Sequence, residues 1–142
     1  MKLFFPILCV ALLLTPACGG SPTDPSQVTG VSFTMTDLVV GSGKVAAIGN
    51  TVSTNYTLWL YDASGPDKKG KQKDAGQYSF VVGAFPPQAI AGFDQGVVGM
   101  AVGGKRRILI PPSLGYGAAG AGGGAIPPNA NLVFEVELLG VT

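Results

Sequence analysis

The sequence predicts an α+β domain, an antiparallel sheet packed on one helix, and three observations predict it. Apolar and polar residues alternate with a period of two in several short stretches. One stretch, from Gln88 to Ala101, carries helical spacing instead. No regular strand–helix–strand alternation of the kind that builds a parallel sheet is present. The 142 residues suffice for one domain with little left for a second, and a 46% apolar share is enough for a core.

Taken in order, the chain opens on an address. Met1-Lys2 supplies a short positive start, and Leu3 to Leu14 is apolar apart from Pro6. Such a run is shorter than the roughly 20 residues of a spanning helix and has the shape of a secretory signal peptide over residues 1–17. A buried N-terminal helix is the competing reading; Pro6 and the Gly-Ser-Pro-Thr-Asp-Pro-Ser stretch that follows weigh against it. Cys9 would leave with the signal, so Cys18 would be an unpaired cysteine in an exported chain. Leu14-Thr15-Pro16-Ala17-Cys18 resembles a bacterial lipobox, although Thr15, where Leu or Val is usual, and Pro16 depart from its usual form. Cys18 is therefore expected to carry a diacyl anchor, which gives stable membrane attachment. Residues 18–28 are read as a flexible tether and 29–142 as the folded domain.

Val31, Phe33 and Met35 alternate with Ser32, Thr34 and Thr36 in a first strand, and Val52 to Tyr61 is a second by its Thr, Val and aromatic content. Gly65 to Gly76, with Lys68, Lys69, Lys71 and Lys73, reads as a solvated loop. Gln77 to Val82 alternates again, with Tyr78, Phe80 and Val82 on one face. Pro86-Pro87 then precede a helix over Gln88–Ala101, where Ile90, Phe93, Val97 and Met100 share a face. Its Gly92, Gly96 and Gly99 each cost about 1 kcal/mol of helix propensity, so the helix must lean on a sheet. Arg106, Ile108 and Ile110 face one way in a strand stopped by Pro111-Pro112. Leu132, Phe134, Val136 and Leu138 do so in the last strand. Between these two lies a long glycine-rich loop over 113–129, of a length that is uncommon in compact domains and often functional.

Composition removes whole classes of function. Nine Lys+Arg against eight Asp+Glu leave a net charge of +1, without the basic stripe of a nucleic-acid binder. The absence of histidine excludes a Ser-His-Asp triad, a histidine base and a His-ligated metal. The glycine-rich run lacks the Gly-Lys-Ser/Thr ending of a phosphate-binding loop. No cofactor and no metal are expected.

Four stretches, in order, resemble the FKBP-type peptidyl-prolyl cis-trans isomerases. They are Asn55-Tyr56-Thr57-Leu58-Trp59-Leu60, Gly92-Phe93-Asp94-Gln95-Gly96-Val97, and Val102-Gly103-Gly104-Lys105-Arg106 with Ile110-Pro111-Pro112. The last joins Leu114-Gly115-Tyr116-Gly117 to Ile126-Pro127-Pro128-Asn129-Ala130-Asn131-Leu132-Val133-Phe134-Glu135-Val136-Glu137-Leu138. The resemblance implies an antiparallel half-barrel wrapped around one short helix, with an apolar pocket between them for a substrate proline. It implies catalytic roles for Tyr56, Asp74, Phe93, Tyr116 and Phe134, and substrate contacts for Tyr78, Phe80, Ala89, Ile90 and Ile126. Phe93 would form the pocket floor, where the family usually has Trp; Ile90 would offer its backbone N–H to a substrate carbonyl; and Ile126 would close the rim.

The chain also departs from the family. Lys73 stands where the family carries Phe, and Ala75-Gly76 replace two serines. Asp74 to Tyr78 is shortened, and Pro86-Pro87 mark an insertion before the helix. Lys73 is expected to lay its stem on the pocket wall and to pair with Asp74. The implied activity is isomerisation of X–Pro bonds in exported proteins, by a monomer held at the extracytoplasmic face of a membrane through its lipid. Proline-containing polypeptides are the expected partners, together with the family's macrolide inhibitors. The alternative is a chaperone module on the same fold that holds proline segments without turnover, and an ordinary core role is the plain alternative for each aromatic.

Overall fold

A computed structural model describes residues 30–142; the expected signal segment, Cys18 and the tether lie outside the described residues. Five strands, β1 (Thr34–Val39), β2 (Thr51–Tyr61), β3 (Lys69–Val81), β4 (Lys105–Ile110) and β5 (Leu132–Val141), form one sheet. Their order across it is β1-β4-β5-β2-β3, and every pairing is antiparallel. Among the described residues one α-helix, α1 (Ala91–Val97), packs on the sheet. This is the α+β architecture that the alternation patterns imply.

Strand register decides which side chains meet under the helix. Leu58 of β2 lies opposite both Asp74 of β3 and Phe134 of β5, while Tyr56 lies opposite Gly76 and Val136. Ile108 of β4 lies opposite Phe134. Directly opposed residues share a face, so these side chains all project from the helix side. Val52, Leu58, Phe80, Ile108, Ile110, Leu132, Phe134, Val136 and Leu138 are buried there with Phe93 and Val97 of α1. The buried polar residue of this layer, Thr54, is satisfied: its hydroxyl donates to the Tyr78 carbonyl at 2.8 Å.

The helix sits close to the sheet because two of its residues have no side chain. A Cβ on Gly96 would come within 2.3 Å of Ile108 Cδ1, and one on Gly92 within 2.6 Å of Ile110 Cγ2. The glycines that cost helix propensity thus make the packing that supports the helix. α1 is shorter than the Gln88–Ala101 span expected. It begins after Ile90, which is extended at ψ 147°, and ends where Val98 turns extended at ψ 131° and Gly99 adopts φ +82°. Arg106 closes the C-terminal end, donating to the carbonyls of Gly96 and Val98 at 3.0 Å. Its Nε also meets Asp37 Oδ1 at 2.6 Å. Met100 is buried all the same, from the turn beyond the helix.

Two other expectations are corrected. The lysine-rich segment is not a loop: after a turn through Lys68, Lys69, Lys71 and Lys73 belong to β3. Lys, Gly, Asp and Gln are depleted in strands, which hides this one. β3 is a sheet edge, where charge discourages pairing with other chains. Lys69 also reaches Glu135 at 2.5 Å and lies 4.4 Å from the ring centre of Trp59. The first strand likewise begins later than its alternation suggests, at Thr34. The glycine-rich loop holds three short 3-10 turns and a small antiparallel bridge between Ala121 and Ile126. Gly120 is required there: at φ +65°, its Cβ would stand 2.2 Å from the Ile126 carbonyl oxygen.

Candidate active site

A cavity of about 410 Å³ opens between the sheet and the start of α1. Its lining comes from separate parts of the chain: Tyr56 and Leu58 from β2, Asp74 and Tyr78 from β3, Phe134 from β5 and Phe93 from α1. Pro87, Gln88, Ala89 and Ile90 add the segment before the helix, and Tyr116 the long loop. Apolar walls with a few placed polar groups suit a small ligand group.

Phe93 is the floor. It is buried and projects from α1 onto the sheet, with its ring centre 6.0 Å from Tyr56 in an edge-on arrangement. Phe134 stands 5.2 Å away, also edge-on. Phe134 and Tyr56 are 6.1 Å apart, so three rings from three elements fix one another. Leu58 was not anticipated as a lining residue, yet period-two spacing from Tyr56 puts it on the same face.

The polar groups sit along one wall. The Tyr56 hydroxyl donates to Asp74 Oδ2 at 2.7 Å. That hydrogen bond, with burial and the carboxylate's charge behind it, pushes the Tyr56 phenol up to about 12. The other carboxylate oxygen of Asp74 accepts from the Ala75 N–H at 2.9 Å. Gly76 lies opposite Tyr56, where a Cβ would stand 3.9 Å from its hydroxyl, an ordinary contact. Tyr116 is half-buried, and desolvation followed by the Asp74 charge raises its phenol as well. Tyr56 and Tyr116 both remain un-ionised at neutral pH, as hydrogen-bond donors must.

The segment before α1 is held by its neighbours. The Tyr78 hydroxyl donates to the Gln88 carbonyl, and the Gln88 side-chain oxygen accepts from the Val81 N–H at 2.9 Å. The Ile90 carbonyl accepts from the Phe93 and Asp94 N–H groups at 3.0 Å, the start of the helix. Among the described residues, the Ile90 N–H and the Tyr116 hydroxyl donate to no protein acceptor. Both residues line the cavity, so both donors are available to a ligand.

Eight of the ten expected contact residues line the cavity: Tyr56, Asp74, Tyr78, Ala89, Ile90, Phe93, Tyr116 and Phe134. The other two do not. Phe80 is buried behind the wall, stacked on Tyr78 at 5.5 Å and against Phe93 at 5.5 Å, so it backs the floor from within the core. Ile126 is buried as well; its backbone bridge to Ala121 folds its side chain into the core cluster rather than over the rim. Lys73 neither lines the cavity nor pairs with Asp74, contrary to expectation. Leu58 lies opposite Asp74 and Trp59 opposite Gln72, which makes Lys73 the extra residue of a bulge. Pro87 and Gln88, which sequence reasoning left out, line the mouth; the Pro86-Pro87 insertion was their one signal.

Comparison with known proteins agrees with this geometry. The family model for FKBP-type peptidyl-prolyl cis-trans isomerase matches residues 42–139. FK506-binding protein 2 of Dictyostelium discoideum is 40% identical over 143 aligned positions, covering 99% of each chain. An FK506-binding protein of Neisseria meningitidis is 44% identical over 110 residues, 78% of this chain and 96% of that one. The crystal structure of a peptidyl-prolyl cis-trans isomerase from Pseudomonas syringae superposes with a TM-score of 0.63 at 33% identity, over 78% of this chain and 75% of that one. These matches support the isomerase reading over the non-catalytic alternative. The chain belongs to the family of FKBP-type peptidyl-prolyl cis-trans isomerases and is a peptidyl-prolyl isomerase.

Proposed function

We propose that the cavity on Phe93 is where the isomerised proline sits, and that the enzyme acts on exported proteins from a lipid anchor. The observation that carries the site is a floor and walls of interlocked aromatic rings with two unengaged donors at their edge, the Tyr116 hydroxyl and the Ile90 N–H.

The chemistry asks for no nucleophile. An X–Pro amide resists rotation by about 18–20 kcal/mol because twisting breaks its resonance. The twisted amide is less polar than the planar one, so an apolar cavity favours it selectively. Hydrogen bonds to substrate carbonyls that fit the twisted geometry better add to this. A gain of a hundredfold to ten-thousandfold requires about 3–5.5 kcal/mol, within reach of such a cavity and two donors. Tyr56, engaged with Asp74, orients the wall rather than donating to substrate. The relatives' name, FK506-binding protein, supports binding of that macrolide in the same cavity.

The anchor rests on the sequence of residues 1–18, a signal-like run ending at Ala17-Cys18. Expressed in a bacterial host, the protein should incorporate labelled palmitate and partition into detergent, and Cys18→Ser should abolish both. A soluble, unlabelled wild type would refute the anchor. For the site, titration with a short X–Pro peptide should shift the NMR signals of Tyr56, Phe93, Ile90 and Tyr116 first. Shifts confined to other faces would refute the assignment.

A further inference from the structure

Phe85 is 97% exposed, the highest exposure among the large apolar residues described. A single exposed apolar residue is ordinary, but the placement of this one is not. It stands two residues before Pro87, which lines the cavity. Two residues of extended chain span at most about 7 Å. The loop that carries it is pinned on both sides. The Gly83 N–H donates to both Asp94 carboxylate oxygens, at 2.9 and 3.2 Å. Gln88 is held at the other end by the Val81 N–H and the Tyr78 hydroxyl. Ile48, 76% exposed, lies against Gly83, where a Cβ would come within 2.8 Å of Ile48 Cγ2. An exposed phenyl ring thus stands on a braced loop that runs directly to the cavity, with Ile48 packed against the loop at Gly83.

We propose that Phe85 is a specificity-determining surface that receives an apolar side chain of the substrate two or three residues from the isomerised proline. The inference rests on the reading of the cavity as the proline site. Its occupant follows from continuity: a polypeptide with its proline on Phe93 that leaves over Pro87 and Gln88 passes the Phe85 ring. Bracing the loop before substrate arrives removes part of the ordering cost of the contact. Asp94 and Gln88 act as positioning residues for Phe85, since they hold the two ends of its loop.

The test uses X–Pro peptides extended by three residues on each side of the X–Pro pair, with either Leu or Ser at the outer positions. The wild-type chain should favour the Leu peptides about fivefold to tenfold in kcat/KM, the scale of burying part of a phenyl ring and its partner. Phe85→Ser should bring that ratio close to one by lowering the Leu peptides, and Phe85→Leu should retain most of it. A ratio that survives Phe85→Ser, or no preference in the wild type, overturns the proposal. Phe93→Leu serves as the separate arm and should lower both peptide sets together. If it leaves both unchanged, the cavity assignment fails irrespective of the Phe85 result. Thermal unfolding of the Phe85 variants should match wild type, because the side chain is removed from solvent and not from the core.

Discussion

The Tyr56 hydroxyl and Asp74 Oδ2 stand 2.7 Å apart on the cavity wall. The two residues come from neighbouring strands, and the bulge at Lys73 sets their relation by restoring Asp74 to the face that Tyr56 occupies. The bond ties a sheet edge to the aromatic cluster and makes the phenol hard to ionise.

This relation gives a pH prediction. The folded-state value of Tyr56, about 12, lies above its ordinary value of 10.0. The contribution to stability is therefore fully present below pH 10 and is lost as pH rises from there through the folded value. Phenolate absorbance should assign a tyrosine titrating near 12 in the wild type. Asp74→Asn should move it downward, since the first cause of the shift is the hydrogen bond to that carboxylate. An unmoved titration would show that the bond does not persist in solution.

Gly96 tests the packing that seats the floor. Alanine would gain about 1 kcal/mol of helix propensity. Its Cβ, however, would fall 2.3 Å from Ile108 Cδ1 and 3.1 Å from its Cγ1, so the whole side chain, which is fully buried, would have to shift. Overpacking of this kind costs about 1–3 kcal/mol. Gly96→Ala should thus lower the denaturant midpoint, while a rise would mean that α1 rides higher on the sheet than described.

Much of this was legible in the sequence because burial leaves a pattern. Phe134 to Leu138 alternates cleanly since one face of β5 meets the core, and Phe93 and Val97 fall at helical spacing since α1 does. What sequence alone obscured was structure made by partners. β3 was unreadable before Gln77 because its residues are held by pairing with β2, against their own preference for loops. The helix ends early because Gly99 adopts φ +82° and Arg106, a residue of β4 outside the helix's own sequence, takes its last carbonyls. The aromatic face of β3 divided for a similar reason. Tyr78 and Phe80 share that face, yet the position of Phe93 covers one and leaves the other at the cavity.

Lys73 shows the consequence for catalysis. As the bulge residue outside the cavity lining, it neither supplies nor removes a wall, and it leaves Asp74 to Tyr56. Lys73→Phe should therefore change kcat and KM on a short X–Pro peptide by less than about twofold, equivalent to about 0.4 kcal/mol. A several-fold rise in kcat would place the side chain in the cavity after all.

The most direct test asks whether Phe93 is a floor for substrate or only a core residue. Phe93→Leu keeps an apolar side chain but removes the ring that Tyr56 and Phe134 meet edge-on. A reduction in buried volume of this size costs about 1–2 kcal/mol of stability, so unfolding by denaturant has to be measured beside a protease-coupled isomerisation assay. At a temperature where the variant remains fully folded, kcat/KM should fall by about tenfold or more. Full activity in that folded variant, or a loss that only tracks the fraction unfolded, would contradict the assignment of the cavity as the catalytic site.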